Sequence, residues 1–182
     1  MEIMKNQFTI ASAYKWKTDD DKSTNSERAI NHISKMVKSR FSDNENKKFN
    51  YNINYRRLRA SAGRTILKSI IKRIEDSQVI IIDLTIENSN VMIEAGIALA
   101  LEKSNPFLSV YFIREKSDSK KLPEGIPGDL QGYFISEYTI DKNDKVIFKD
   151  NNSLRMSIES DVKDYFNARG NSFNLIDETT SE

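Results

Sequence analysis

The chain has 182 residues, enough for one domain with a sizeable core. Its 28 basic and 27 acidic residues nearly cancel, so no global field favours nucleic acid or a membrane surface. The absence of cysteine removes disulfides, thiol nucleophiles and Cys-based zinc sites together. The opening MEIMKNQFTIASAYKWK has no apolar signal-peptide core. No uninterrupted apolar run approaches the roughly 18–20 residues of a membrane helix. A cytoplasmic protein with no membrane partner is therefore expected.

Residues 8–14 read as a short buried strand. The polar run KTDDDKSTNSE follows as a loop in which Thr24, Asn25 or Ser26 can cap the next helix. That helix spans residues 27–41, where Ile30, Ile33, Met36, Val37 and Phe41 recur at helical spacing. FNYNINYRRLRA alternates apolar and polar residues with the period of a half-wet strand. Residues 62–77 form a second amphipathic helix, with Ile66, Leu67, Ile70, Ile71 and Ile74 opposite Lys68, Lys72 and Arg73.

VIIIDL, residues 79–84, suits a strand covered on both faces. The polar link ENSN leads into a helix over residues 90–103. FLSVYFI is another strand, and YFISEYTI a further one after the long loop KSDSKKLPEGIPGDLQG. Residues 153–169 close a single domain of residues 1–169 with a last helix, and residues 170–182 read as a flexible tail. Strands alternating with helices predict a three-layer flavodoxin- or Rossmann-like α/β sandwich with a mainly parallel sheet of about five strands.

The most apolar stretch, VIIIDLTIENSNVMIEAGIALAL, carries the carboxylates Asp83, Glu87 and Glu94. In open parallel sheets ligands sit beyond the carboxyl ends of the strands, where Asp83 and Glu94 both fall. Ala95, Gly96, Ala98 and Ala100 let the helix backbone approach the sheet, which leaves Glu94 either partly desolvated or opening into a cleft. The plain structural readings are a Glu94 pair with Arg64, or stabilisation by the helix N-terminus, and for Asp83 a cap on the turn at Thr85.

DLTIENSNVMIEAGIALAL resembles the D-L-T-x-x-N-x-N-V-x-x-E-h-G-x-A stretch of TIR-like predicted nucleotide-binding proteins of prokaryotes. That group is similar in turn to nucleoside 2-deoxyribosyltransferases, where an E-L-G-x-A helix presents the reactive glutamate. The resemblance extends to IASAYKW, to GRTILKSIIKRIEDSQVIIIDLT and to LPEGIPGDLQGYFISEYTI, roughly residues 8–139. It departs at Ala95, where the family commonly has Leu, and at Pro127-Gly128-Asp129, where it has Pro-Phe-Asp.

The resemblance implies cleavage of an N-glycosidic bond through an oxocarbenium-like sugar, most readily in NAD, with bacterial antiphage defence as the setting. Glu94 and Asp83 would be the catalytic pair. Glu94 would stabilise or attack the anomeric centre, and Asp83 would orient ribose hydroxyls or the leaving base. Substrate-binding residues would be Ser12, Tyr14 and Trp16 of the first loop, Arg64, Thr85, Asn88, Asn90 and Asp129. No metal or redox cofactor is needed, the nucleotide being substrate, and activity would depend on assembly of a homo-oligomer. A nucleoside or nucleotide 2-deoxyribosyltransferase and a non-catalytic nucleotide-sensing module are the alternatives.

The lone His32 gives no support to a Ser-His-Asp triad or a His-rich metal site. SAGRT lacks the ending of a Walker loop. Arg56, Arg57, Arg59 and Arg64 gather around one strand-to-helix connection, as a solvated edge, a clamp for substrate phosphates or a small nucleic-acid patch, the phosphate being favoured over nucleic acid.

Overall fold

The computed structural model describes residues 7–15, 25–42, 52–58, 66–86, 88–116, 133 and 135–169. Along the chain run β1 (Gln7–Ala13), α1 (Asn25–Ser42), β2 (Asn52–Arg57), α2 (Ile66–Glu75), β3 (Val79–Asp83), α3 (Ser89–Glu102), β4 (Ser109–Glu115), β5 (Ile135–Ile140), β6 (Val146–Phe148) and α4 (Asn151–Asn167). The strands form one sheet in the order β2-β1-β3-β4-β5-β6. Five run parallel, and β6 returns antiparallel to β5. The expected mainly parallel α/β sandwich is the fold observed, with one strand more than the sequence suggested. No helix among the described residues is long and apolar enough to cross a membrane.

Alternation along the central strands builds a core on each face. Phe8, Ile10, Val79, Ile81, Ile113 and Tyr138 pack with Ile30, Ile33 and Val37 of α1 and Ile158, Val162 and Phe166 of α4. Ala11, Ala13, Ile80, Ile82 and Phe112 pack instead with Ile70 and Ile74 of α2 and Val91, Ala95 and Ala98 of α3. VIIID is apolar on both faces because both faces are covered, and each buried isoleucine contributes about 2–3 kcal/mol. The alanines of β1 keep the α2–α3 face shallow, which lets α3 lie close to the sheet.

Three local departures from the sequence reading have clear causes. Phe107, expected inside a strand, is in a turn where the Asn105 side chain accepts the Phe107 N–H at 3.0 Å, so β4 starts two residues later. β6 is only three residues long, too short to show a period, and follows a turn in which Asp141 Oδ1 accepts the N–H groups of Asn143 and Lys145. On α3 the residues that face the sheet are Val91, Glu94, Ala95 and Ala98, the i, i+3, i+4, i+7 stripe of one helix side. Gly96 and Ala100, expected to let the backbone approach the sheet, point outward and are exposed, because the helical repeat turns them away.

Candidate functional site

The sheet reverses its winding between β1 and β3, since β2 was added on one side of β1 and β3 to β6 on the other. The carboxyl ends of β1 and β3 are therefore the switch point, the place where open parallel sheets bind their ligands. Tyr14 follows β1 there, Arg57 ends β2, and Asp83 ends β3.

Asp83 continues the Val79–Ile81 face of β3, toward α1 and α4, and is only 1% exposed. Its Oδ1 accepts the Thr85 N–H at 2.7 Å and its Oδ2 accepts the Tyr138 hydroxyl at 2.8 Å. The Thr85 hydroxyl lies 3.2 Å from that of Tyr138 and accepts the Glu115 N–H at 2.7 Å. Burial pushes the Asp83 carboxyl upward, while hydrogen bonds from Thr85, Tyr138 and Ser26 pull it back. These bonds tie β3 to β4, β5 and the first turn of α1. Both Asp83 oxygens are thus engaged inside the protein, as a turn cap at Thr85 and a clamp on Tyr138.

Glu94 sits on the other face. Asn88 caps α3 from extended backbone, its Oδ1 accepting the N–H groups of Asn90 at 3.0 Å and Val91 at 3.3 Å. That fixed start places Glu94 in the second turn, on the sheet-facing stripe between Val91 and Ala98, where it is 6% exposed. Among the described residues no donor bonds to its carboxylate. Burial drives its pKa up to about 7, and the positive charge of Arg57 opposes the rise without forming a direct ion pair. A carboxylate held this way costs stability that a satisfied one would not.

Beside it, the Arg57 guanidinium lies 4.2 Å over the Tyr14 ring. Tyr14 is 9% exposed, and its ring supports Arg57. Ser12 is fully buried and its hydroxyl accepts that of Tyr55. Arg56 points to the opposite face, where it donates to the Arg73 carbonyl and to the Ser77 hydroxyl and so finishes α2. Asn25 Nδ2 donates to both Glu115 carboxylate oxygens at 2.9 and 3.0 Å, fastening the start of α1 to the end of β4.

The structure thus stacks Arg57 on Tyr14, brings Arg57 within electrostatic reach of Glu94 and joins Asp83 to Thr85, with Asp83 and Glu94 on opposite faces of the sheet. Asn88 and Asn90 belong to the start of α3, Asn88 as its cap and Asn90 exposed in its first turn. Trp16, Thr24, Arg59, Ala62, Arg64, Glu87, Asp129 and the segment 170–182 lie outside the described residues. Among the described residues no cluster of three or more His, Asp or Glu side chains is placed to hold a metal ion. The sequence reading gave Tyr138 and Tyr55 no part in the site, and Ser26 only that of a helix cap. Tyr138 was detectable only as an inward position of ISEYTI, since its partner is 55 residues away. A comparison with protein-family models gives no match, and neither do comparisons with curated proteins or with solved structures.

Proposed function

We propose that the carboxyl edge of the sheet at β1 and β3 is the active site of a TIR-like N-glycosidase that cleaves the nicotinamide–ribose bond of NAD, with Glu94 as its central carboxylate. The observation that carries the reading is Glu94 itself: a nearly buried carboxylate with no donor among the described residues, at the carboxyl edge of a parallel sheet. Such a group is costly in the empty protein and gains when positive charge develops beside it. The likeness of DLTIENSNVMIEAGIALAL to the TIR-like proteins supports the same residue in the same role.

The number of available carboxylates favours NAD over a nucleoside. A neutral nucleoside gives up an anionic base, which needs an acid to protonate it, and two-carboxylate sites supply one. Of the two carboxylates assigned to this site, Asp83 is engaged with Thr85 and Tyr138, which leaves Glu94. The nicotinamide of NAD is already a cation. When the C1′–N bond breaks, its electron pair stays on the ring nitrogen and neutral nicotinamide departs without protonation. Glu94 then faces the oxocarbenium-like sugar, water adds to C1′, and the water proton passes to Glu94 or to solvent. The cationic ring also favours the ionised form of a carboxyl that takes its proton near pH 7, so binding expels a proton.

The test is release of nicotinamide from NAD by the purified protein over a wide range of protein concentration. Release is expected. A protein inert toward NAD at every concentration but active in base exchange between nucleosides would overturn this reading in favour of a transferase.

A further inference from the structure

We infer that Thr85 and Tyr138 are positioning residues: the hydrogen-bonded ring they close with Asp83 sets the path of the turn from β3 into α3, and through it the place of the Glu94 carboxylate. The inference rests on Glu94 being the central carboxylate of the proposed reaction and names what holds it there. Asp83 Oδ1 accepts the Thr85 N–H at 2.7 Å, Asp83 Oδ2 accepts the Tyr138 hydroxyl at 2.8 Å, and the Thr85 and Tyr138 hydroxyls lie 3.2 Å apart. A phenol carries a single proton, and Tyr138 gives its own to Asp83, so Thr85 is the donor across the remaining side. Thr85 Oγ1 also accepts the Glu115 N–H at 2.7 Å. Groups from β3, β4 and β5 thus meet at one threonine of the turn.

That turn leads directly to the helix of Glu94. The Leu84 N–H still bonds to the Ile113 carbonyl at 2.9 Å, so the chain leaves the sheet at Thr85. Asn88 then caps α3, and its carbonyl accepts the Met92 N–H at 3.0 Å. The stretch from Thr85 to Asn88 spans at most about 10 Å, which tethers the start of α3 to the ring. Asp83 and Tyr138 lie on the α1–α4 face of the sheet and Glu94 on the other, so the coupling runs through the backbone of the turn. Misplacing a reacting group by about 1 Å costs on the order of 100-fold in rate.

Thr85→Val keeps the shape of the side chain and removes its hydroxyl, and Thr85→Ser keeps the hydroxyl. With NAD, well below the melting temperature of each variant, kcat should fall about 10- to 100-fold in Thr85→Val and in Tyr138→Phe, with KM moved less than about threefold. Thr85→Ser should stay within about threefold of the wild type. The variant carrying both Thr85→Val and Tyr138→Phe should lose about as much as either alone, because a ring opened once is open. Should Thr85→Val not fold, Tyr138→Phe carries the test. A lower melting temperature with kcat unchanged marks a role in stability alone, and a raised KM with kcat unchanged marks a contact with substrate. Either result overturns the inference, as do losses that multiply in the double variant.

The carboxyl-carbon NMR resonance of Glu94, identified by its absence in Glu94→Gln, reads the same placement without turnover. Burial sets its wild-type midpoint at about 7. A helix released at its start lets water reach the carboxyl, so the midpoint should fall by about 0.3 pH unit or more in Thr85→Val and in Tyr138→Phe, and return in Thr85→Ser. That fall in a protein inert on NAD removes the reaction and keeps the positioning. A smaller fall, or a rise, in folded variants overturns the inference and leaves the enzyme reading intact.

Discussion

Glu94→Gln should stabilise the protein, and by an amount that depends on pH. The amide keeps the shape of the side chain and removes the ionisable group. In the folded protein the carboxyl takes its proton near pH 7, against an ordinary value of 4.5 in the unfolded chain. The folded state therefore binds this proton more tightly, and the wild type loses stability as pH rises from about 4.5 to about 7. At roughly 1.36 kcal/mol per pH unit, that gap corresponds to about 3 kcal/mol. Glu94→Gln should thus match the wild type more closely at pH 5 and gain up to about 3 kcal/mol on it by pH 8, equivalent to a melting temperature higher by roughly 6–12 °C. The cost of burying an unpaired amide acts at both pH values and cancels in the comparison. Titration of Asp83 and His32 occurs in both proteins and cancels too. Urea unfolding of the two proteins at pH 5 and pH 8 measures the effect. A difference that stays constant within about 0.5 kcal/mol, or one that shrinks toward pH 8, would refute a desolvated carboxyl at Glu94.

In the proposed reaction the ionised form does the work, so kcat/KM for nicotinamide release should rise about tenfold per pH unit below pH 7 and level off above it. A flat profile from pH 5.5 to 8 would contradict that role. Tyr138→Phe removes the donor to Asp83 Oδ2 and should cost about 1–3 kcal/mol in urea unfolding. Its loss should be larger at pH 8 than at pH 5, since the carboxylate loses support that the neutral acid does not need. Gly96→Ala should raise stability by about 0.5–1 kcal/mol, because a Cβ there meets nothing within 4 Å and alanine is the better helix former. A lower melting point would show that something packs against that face in solution.

The parts of the fold written in local patterns were legible. The run Val79–Asp83 declares a doubly covered strand, and Ile30, Ile33 and Val37 declare the inner stripe of α1. Glu94 stood out because it interrupts an apolar helix. The face of α3 was not legible for the same reason: with apolar residues all round, no polar side marks what turns outward, so Gly96 and Ala100 could not be told from Ala95 and Ala98. Asp83 looked equivalent to Glu94 because sequence places both at one sheet edge. Only strand parity and the partners Thr85 and Tyr138 distinguish them, and the Tyr138 bond crosses from β3 to β5. The stack of Arg57 on Tyr14 joins the ends of two neighbouring strands, and nothing in either segment alone reveals it.

Turnover of saturating NAD by the wild type, Glu94→Gln and Asp83→Asn, read as nicotinamide per protein, is the most direct test of which carboxylate does the chemistry. Loss of about 1,000-fold or more in kcat for Glu94→Gln with NAD still bound, and a smaller loss with lowered stability for Asp83→Asn, is the expected result. Glu94→Gln turning over NAD near the wild-type rate would contradict the central role of that side chain.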